Sequence, residues 1–535
     1  MARFTNFPEN RRDAIIVVSL FLLVLILGYW RMVPEVCGAF HDDAIYVATA
    51  KSLAQGHGYR LIYLPQAPIQ TKYPILYPAL LAVVWKLWPA FPENLLVMKW
   101  LSLLVGAATI GLAYLYFVRF GYFSRPVAAA AASVCATSPI YLYFSTQTLS
   151  EIPFALLVII ALWSFEAKQQ ESSIGGTGQF FSGVLLALPF LCRTVGVTLV
   201  VAALVIQYRR GRSLRWMALG MALVMLPWII WMSAGLGSWN REPVAGYYTD
   251  YVSWWGAMGW VMALRIIWQN LINILIASAT VPLEGLDAIL RSINLWGWFF
   301  LTYFFGSIPL IVLIAHLRTW RLLPFFIISY LLLILLWPWP PYRFLVPILP
   351  FLLGYFFEGV RGFCQRGKIR TWYLLSVGLL LIATNCAVLA KYGHEARKFG
   401  YPYITLAQHP ASWASYKDVF VWLKTNSLPE DVIASMEDPM IFLYTGRRAI
   451  RPFKISPGLL GYGDDLKSYG TAEELWETLK AYEVRYLVKL PILAFDQARI
   501  DGLISEVQKR YPGSLQQVYT GEDSRFAIFE LPEDN

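Results

Sequence analysis

Charged residues are scarce in this sequence. Asp, Glu, Lys and Arg make up 15% of the 535 residues, whereas hydrophobic residues make up 57%. A soluble chain of this length usually carries about a quarter charged residues. The deficit is confined to residues 14–390, which hold long apolar runs, while 392–535 carries charges throughout. This distribution excludes an ordinary soluble protein and predicts a polytopic membrane protein with a soluble C-terminal domain.

The sequence also lacks the short motifs of several common sites. Its five cysteines form no CxxC pair and have no histidine at a metal-ligand spacing, so neither a disulfide framework nor a zinc site is predicted. The C-terminal residues contain no GxGxxG, P-loop or GxSxG motif. Much of the net charge of +10 lies in two clusters between apolar runs, at 209–215 and 361–370. Charges placed there set membrane topology, so nucleic acid is excluded as a partner.

What the sequence does contain is a series of apolar runs. A helix that crosses about 30 Å of hydrocarbon needs roughly 20 apolar residues. On that criterion we predict about 11 spans, at 14–33, 95–118, 127–144, 150–166, 180–192, 194–208, 217–233, 293–315, 322–337, 344–360 and 371–390. The first run is too long for a signal core and has no small-residue cleavage site, so we expect it to be retained as a span.

Positive charges in the connecting loops predict the orientation. The candidate cytoplasmic segments carry Arg3, Arg11, Arg12, Arg119, Arg125, Lys168, Arg318, Arg321 and the two basic clusters. The alternate short loops carry almost none, apart from Arg193 and Arg343. An odd number of spans then predicts a cytoplasmic N-terminus and an extracytoplasmic C-terminal domain.

The predicted fold is therefore mainly α, a transmembrane helix bundle with a C-terminal extracytoplasmic α/β domain. The bundle occupies 1–391 and includes two long extracytoplasmic loops, 34–94 and 234–292, with interfacial helices. The apolar patch Leu271–Ala279 is too short to span and is predicted to be a surface helix. In 392–535, helices are predicted at 416–425, 439–444, 472–482 and 497–510, and strands at 432–435, 484–488, 515–519 and 526–530.

Three acidic residues near the predicted outer face are candidates for chemistry. Asp42 and Asp43 are adjacent, and neighbouring carboxylates raise each other's pKa and form a good proton or cation site. One Asp would also serve as a helix N-cap, which leaves the second unexplained. Glu151 lies at the start of a span, where the helix dipole also stabilises a carboxylate. An ionisable residue at the edge of a span nevertheless suggests function.

The basic candidates lie at the same predicted face. Arg193 interrupts a long apolar stretch, and its planar guanidinium suits phosphate, although an interhelical ion pair with Glu151 would also explain it. Arg343 is a similar case at another outer loop. Lys72 could reach a lipid phosphate or extend to the headgroups. His57, between two glycines, is most simply a turn residue. Carboxylates and cations at one face suit a phosphate-linked lipid substrate.

Several short motifs resemble the GT-C class of polytopic glycosyltransferases, in particular the branch of dolichyl-phosphate-mannose protein mannosyltransferases and lipid A aminoarabinose transferases. They are Asp42-Asp43-Ala44-Ile45-Tyr46, Ala54-Gln55-Gly56-His57-Gly58-Tyr59, Lys72-Tyr73-Pro74, Leu149-Ser150-Glu151 and Tyr342-Arg343-Phe344. The second residue of the acidic pair is Asp where many relatives have Glu. A Trp-Trp-Asp signature is absent, because Gly256 follows Trp254-Trp255. The protein-mannosylating activity is therefore not favoured over transfer to lipid or glycan acceptors.

The resemblance implies an inverting glycosyltransferase of a bacterial inner (plasma) membrane. Its donor would be a polyprenyl-phosphate-linked sugar, and its acceptor a lipid, glycan or protein at the outer face. It implies a general base at Asp42 or Asp43 and a second acidic position at Glu151 that orients the acceptor or a metal. Lys72 would meet the lipid phosphate, assisted by Arg193 or Arg343. Contacts with donor or acceptor are expected from His57, Tyr59 and Tyr342.

Two points stay open at this stage. A divalent metal held by Asp43 and Glu151 is neither required nor excluded by the carboxylate spacing. A transporter or flippase of a lipid-linked substrate is the alternative function. Transporters usually carry polar residues at mid-membrane depth, whereas the predicted spans are nearly free of central charge. A non-enzymatic scaffold would leave the paired carboxylates without a role.

Overall fold

The structure is a computed structural model, and it describes residues 11–170, 175–236, 252–366, 372–403, 411–452, 462, 470–491 and 497–532. The chain divides into two compact units. Unit 1 takes in Met1–Met32, Lys99–Ile229 and Ile266–His394. Unit 2 takes in Val33–Met98, Ile230–Arg265 and Glu395–Asn535. The first predicted loop thus belongs to the same unit as the C-terminal residues.

Helices account for most of the described chain. In chain order they are α1 (Arg11–Arg31), α2 (Asp42–Ala54), α3 (Leu76–Leu87), α4 (Asn94–Arg119), α5 (Arg125–Thr137), α6 (Pro139–Ser145), α7 (Glu151–Gln169), α8 (Gly176–Cys192), α9 (Val197–Arg209), α10 (Arg215–Leu236), α11 (Val252–Thr280), α12 (Glu284–Ser292), α13 (Trp296–His316), α14 (Leu322–Leu335), α15 (Leu349–Arg366), α16 (Trp372–Phe399), α17 (Trp413–Asn426), α18 (Asp438–Thr445), α19 (Ala472–Ala481) and α20 (Gln497–Arg510). Short 3-10 helices cover Thr194–Gly196, Leu317–Thr319 and Arg343–Ile348.

Each of the predicted spans corresponds to a helix or to a bent pair of helices. Within the described residues, seven helices are long and apolar enough to cross a membrane, or up to eight if the pair α5 and α6, bent by 64°, forms one span. Helices α8, α9 and α14 are apolar but shorter. The polytopic, mainly helical fold is confirmed. Two of the apolar regions are each divided into two helices, one at Ser138 and the other at Arg193.

The helix around Leu271–Ala279 is longer than predicted. This patch forms the C-terminal part of α11, of which Gly259–Thr280 is long and apolar enough to cross a membrane. The polar residue Asn270 directly precedes this patch. It is fully buried, and its side-chain amide donates to the backbone carbonyls of Ile334 and Trp337 at 3.2 and 2.7 Å. A buried amide with such partners is tolerated inside an apolar helix.

Two glycines allow α8 and α10 to pack closely in unit 1. A Cβ atom at Gly183 would overlap the carbonyl oxygen of Met217, and one at Gly220 would overlap the carbonyl oxygen of Phe180. The two backbones are therefore in direct contact, as small residues permit between membrane helices.

Unit 2 contains a five-stranded sheet in the order β2-β1-β3-β5-β4. The strands are β1 (Val432–Ser435), β2 (Arg448–Ile450), β3 (Val484–Lys489), β4 (Gln516–Thr520) and β5 (Ala527–Glu530). Strands β2, β1 and β3 are parallel, and β5 and β4 are antiparallel to their neighbours. The predicted helices and four strands of the α/β domain are confirmed, whereas the short strand β2 was missed.

The first loop packs into this α/β domain. Val33, Val36 and Ala39 share a core cluster with residues of α17 and the sheet. The backbone amide of Ala449 in β2 donates to the carbonyl of Tyr63 at 2.8 Å, so the loop extends the hydrogen bonding of the edge strand. The first loop and the C-terminal domain therefore belong to one compact unit.

Candidate active site

The acidic pair begins α2 directly after a strained turn. The backbone amide of Asp42 donates to the carbonyl of Phe40 at 2.6 Å, which closes a γ-turn centred on His41. His41 has φ 59° and ψ −56°, a conformation that is rare for a residue with a side chain and costs on the order of 1–3 kcal/mol. Such strain persists only where surrounding contacts hold it, and it is common at functional sites.

The two aspartates of the pair have different surroundings. Asp43 is fully buried, and its two carboxylate oxygens accept the backbone amides of Gly38 and Phe40 at 2.8 and 3.1 Å. It therefore stabilises the turn before the helix. Asp42 is partly exposed, and its Oδ1 accepts the hydroxyl of Tyr73 at 2.7 Å. Asp42 is thus the member of the pair that a substrate can approach.

The segment that carries Lys72 is held by polar contacts within unit 2. The side-chain oxygen of Gln70 accepts the amides of Lys72 and Tyr73 at 2.9 and 3.3 Å. Tyr59, itself buried, donates its hydroxyl to the carbonyl of Tyr73 at 2.8 Å. Tyr59 therefore positions this segment and does not face an open cavity. The Lys72 ammonium lies 5.4 Å from the centre of the Tyr73 ring, so Lys72 belongs to the same cluster as Asp42.

His57 lies apart from these contacts. It is exposed, and its backbone amide donates to the carbonyl of Ser52 at 3.0 Å in the turn that ends α2. The flanking Gly56 and Gly58 both have positive φ. His57 is therefore a turn residue, as one of the two readings of the sequence had it.

The C-terminal domain contributes residues that sequence reasoning missed. Glu437 follows β1, and its Oε2 lies 3.4 Å from Nδ1 of His41. Asp438, fully buried at the start of α18, has its Oδ1 3.9 Å from Nε2 of His41 and 3.7 Å from Nε of Arg451. The available signal was the pair Glu437-Asp438 directly after a buried parallel strand, because the carboxyl ends of such strands are common ligand sites.

Burial dominates the electrostatics of this contact. It raises the pKa of Glu437 well above its usual range, against the lowering effect of Arg451. Burial likewise lowers the pKa of His41, and the positive charge of Arg451 lowers it further. The His41–Glu437 contact therefore joins two groups whose charged forms are disfavoured by burial.

Unit 1 holds a second cluster, formed by Glu151, Arg193 and Arg343. Glu151 begins α7 and is fully buried, and its Oε1 accepts both Arg193 Nη1, at 2.7 Å, and Arg343 Nε. Arg193 also donates to the hydroxyl of Ser150 at 2.9 Å. Arg193 therefore forms the interhelical ion pair with Glu151 that was the alternative explanation of Arg193 in the sequence. One carboxylate oxygen thus contacts two guanidinium groups from distant parts of the chain.

The remaining candidate, Tyr342, directly precedes Arg343 and is 36% exposed. Within unit 2 the structure brings together Asp42, Asp43 and Lys72, and within unit 1 it brings together Glu151, Arg193 and Arg343. Among the described residues, no group of three or more His, Cys, Asp and Glu side chains has the arrangement of a metal site. Both oxygens of Asp43 already accept backbone amides, so this carboxylate fits a structural role better than metal coordination.

Comparison with known proteins finds one matching family model and several similar folds. Residues 72–231 match the family described as dolichyl-phosphate-mannose-protein mannosyltransferase. The fold is similar to ArnT from Cupriavidus metallidurans, in a crystal structure bound to undecaprenyl phosphate, with TM-score 0.53 and 13% identity over 96% of this chain and 97% of that chain. The apo crystal structure of the same ArnT matches with TM-score 0.53 and 14% identity, with the same coverage.

A third match is the oligosaccharyltransferase of Archaeoglobus fulgidus in complex with Zn and sulfate. Its TM-score is 0.51 at 13% identity, over 97% of this chain and 74% of that chain. A search of curated proteins finds no match. The chain thus shares a fold with ArnT and with this oligosaccharyltransferase. The region matched by the family model runs from Lys72 to Trp231. It includes Glu151 and Arg193 but neither Asp42 nor Arg343.

Proposed function

We propose that this chain is a GT-C glycosyltransferase that transfers a sugar, with inversion, from a polyprenyl-phosphate carrier to a lipid, glycan or protein acceptor at the outer membrane face. The observation that carries the proposal is the partly exposed carboxylate of Asp42, aligned by the Tyr73 hydroxyl at 2.7 Å next to Lys72. The fold similarity to an ArnT structure bound to undecaprenyl phosphate supports the carrier class.

The chemistry requires a base and a stabilised leaving group. The acceptor hydroxyl oxygen attacks the anomeric carbon of the sugar, and the bond from that carbon to the carrier phosphate breaks. The hydroxyl proton passes to Asp42, which acts as general base. The departing polyprenyl phosphate takes the bonding electron pair, and its negative charge is met by fixed cations. One displacement of this kind inverts the anomeric configuration.

The roles of the other residues follow from their contacts. Asp43 holds the turn that precedes α2 through two backbone amides, and so keeps Asp42 in place. Lys72 meets the carrier phosphate. Arg193 and Arg343 assist with the negative charge of the phosphate, and Glu151 orients both guanidinium groups. Tyr342, at the exposed end of this cluster, is assigned to contact with donor or acceptor.

The proposed orientation in the membrane rests on the positive charges of the short loops and on the residues that make up unit 2. Positive residues in the short loops favour a cytoplasmic N-terminus. The first loop follows directly after α1, and it shares a unit with the C-terminal domain. An even number of crossings therefore separates them, and both lie at the outer face of the plasma membrane if α1 is the first crossing.

The test uses purified full-length protein with radiolabelled undecaprenyl-phosphate sugars, among them mannose and aminoarabinose, and a membrane extract as acceptor. We expect release of free undecaprenyl phosphate, and a loss of about 100-fold or more in Asp42→Asn, as for removal of a general base. Asp418→Asn, on the exposed face of α17, is the matched control. Full transfer by an Asp42→Asn/Asp43→Asn double variant would contradict the proposal. A transporter would move the labelled lipid across a bilayer without releasing free lipid phosphate.

A further inference from the structure

A cavity in unit 2 lies away from the acidic pair, at the opposite end of α2. It has a volume of about 480 Å³ and is formed by the C-terminal ends of α2 and α3, the segment after α3, and one residue of α18. Lys51 and Gln55 come from α2, Trp85 and Lys86 from α3, and Phe91 from the following segment. Small-molecule sites in proteins usually have volumes of about 300–1,000 Å³, so this cavity has the size of a binding site.

The charge of the cavity has one sign. Lys51 and Lys86 line it, and no acidic residue is among the described residues that do. The Lys51 ammonium is partly buried against aromatic rings, 4.8 Å from the centre of Phe442 and 5.8 Å from that of Trp85. Burial lowers its pKa, and in the described chain no carboxylate forms an ion pair with Lys51 or Lys86. A partly buried ammonium without a counter-charge is unfavourable, and a bound anion would remove that cost.

The rest of the lining is aromatic. The rings of Trp85 and Phe91 are stacked, with centres 5.7 Å apart and planes at 16°. Together they give the cavity one rigid apolar wall beside the two ammonium groups. A bare phosphate ion would fill only part of 480 Å³, so the ligand has an organic group as well as a charge.

We infer that this cavity binds a phosphate ester that carries a sugar or glycerol group, with the phosphate between Lys51 and Lys86 and the organic group against Trp85 and Phe91. The source is either a soluble sugar phosphate or a phospholipid headgroup. The site is separate from Asp42 and does not depend on the proposed transfer reaction.

The first arm of the test measures binding of glucose 6-phosphate to the full chain in neutral detergent by isothermal titration calorimetry. We expect saturable binding of glucose 6-phosphate, and we expect that unphosphorylated glucose does not displace it. Lys51→Gln and Lys86→Gln should each weaken it by about tenfold or more, as for loss of a charge-assisted hydrogen bond. Lys51→Arg should retain binding, and Lys424→Gln, an exposed lysine of α17, should bind as the unmodified chain does.

The second arm identifies the source. Native mass spectrometry compares retention of dioleoyl phosphatidylglycerol and dioleoyl phosphatidylcholine by the unmodified chain and by Lys51→Gln. Lys51-dependent retention of the phosphatidylglycerol assigns the site to lipid headgroups, and binding of glucose 6-phosphate alone assigns it to soluble esters. The inference is overturned if neither ligand binds in a Lys51-dependent way, or if glucose binds as tightly as glucose 6-phosphate. Lys51→Arg separates loss of charge from misfolding.

Discussion

The imidazole of His41 lies 3.4 Å from the carboxylate of Glu437, a residue 396 positions later in the chain. His41 is the central residue of the γ-turn that immediately precedes Asp42. The contact therefore connects the C-terminal α/β domain to the proposed general base through one strained residue. Because a strained turn needs outside support, Glu437 is expected to act as a positioning residue for Asp42.

The first prediction concerns this support. Glu437→Ala should lower kcat for sugar transfer by about tenfold while leaving KM for the lipid donor within about twofold, because it loosens the base without touching the donor. Glu437→Gln keeps an oxygen acceptor for His41 and should retain most of the activity. Steady-state kinetics on all three proteins provide the measurement. An equal loss in both variants would mean that the negative charge, and not the hydrogen bond, is required.

The backbone of His41 gives a second prediction. His41→Gly removes the imidazole but adopts positive φ without strain, whereas His41→Ala removes it and keeps the strain. The free energy of unfolding of His41→Gly should therefore exceed that of His41→Ala by about 1 kcal/mol, as measured by thermal unfolding. Both variants should lose kcat, because neither contacts Glu437. If the two variants unfold alike, the turn has relaxed and the strain argument fails.

The third prediction concerns the Glu151 cluster. Glu151→Ala leaves Arg193 and Arg343 partly buried without their carboxylate, and should reduce the free energy of unfolding by about 3 kcal/mol. The triple replacement Glu151→Gln, Arg193→Met and Arg343→Met removes the charges together. It should recover much of the stability and yet bind undecaprenyl phosphate more weakly than the unmodified chain. Chemical denaturation and a lipid-binding titration test the two parts separately.

A pH dependence is expected from Glu284 at the start of α12. Burial raises its pKa to about 7, although its Oε2 accepts the backbone amide of Ile140 at 2.6 Å. The folded chain thus keeps this proton between pH 4.5 and 7, whereas the unfolded chain releases it. Stability from this group is therefore present below pH 4.5 and is lost as pH rises through 7.

Glu284→Gln should remove this slope, because the amide oxygen still accepts from Ile140 and no longer titrates. Melting temperatures of the unmodified chain and the variant, measured at pH 4.5, 6 and 8, provide the test. Glu477→Gln, on the exposed face of α19, is the control and should follow the unmodified chain. Parallel pH curves for Glu284→Gln and the unmodified chain would rule out this assignment.

The final prediction tests the contact of α8 with α10. Gly183→Leu should prevent the two helices from packing and abolish recovery of folded protein from detergent, because its side chain would overlap the Met217 carbonyl. Gly297→Leu, in α13, meets open space and should be tolerated. Size-exclusion chromatography after membrane extraction distinguishes the two. A monodisperse Gly183→Leu protein would show that the helices can separate without loss of the fold.

Local sequence determined much of the secondary structure. Apolar runs of roughly 20 residues predicted the membrane helices, since crossing the hydrocarbon requires that length. Helix α19 was predicted almost to the residue, and in the structure Thr471 and Glu474 form a capping box at its start. Strand β2, with three residues, was missed because its assignment depends on pairing with β1 and not on its own sequence. The length of α11 was missed because the prediction counted only the apolar patch Leu271–Ala279, whereas the helix continues back through polar residues to Gly259 and beyond.

The sequence by itself selected Asp42, Asp43, Glu151, Lys72, Arg193 and Arg343, because charged residues at the ends of apolar runs are costly and conspicuous. Only the tertiary structure decided what each one contacts. It assigned Asp43 to backbone amides and left Asp42 accessible beside Tyr73, and it joined Arg193 and Arg343 to one carboxylate. It also brought Glu437 to His41. These pairings depend on segments far apart in the chain, whose meeting is set by packing and not by local composition.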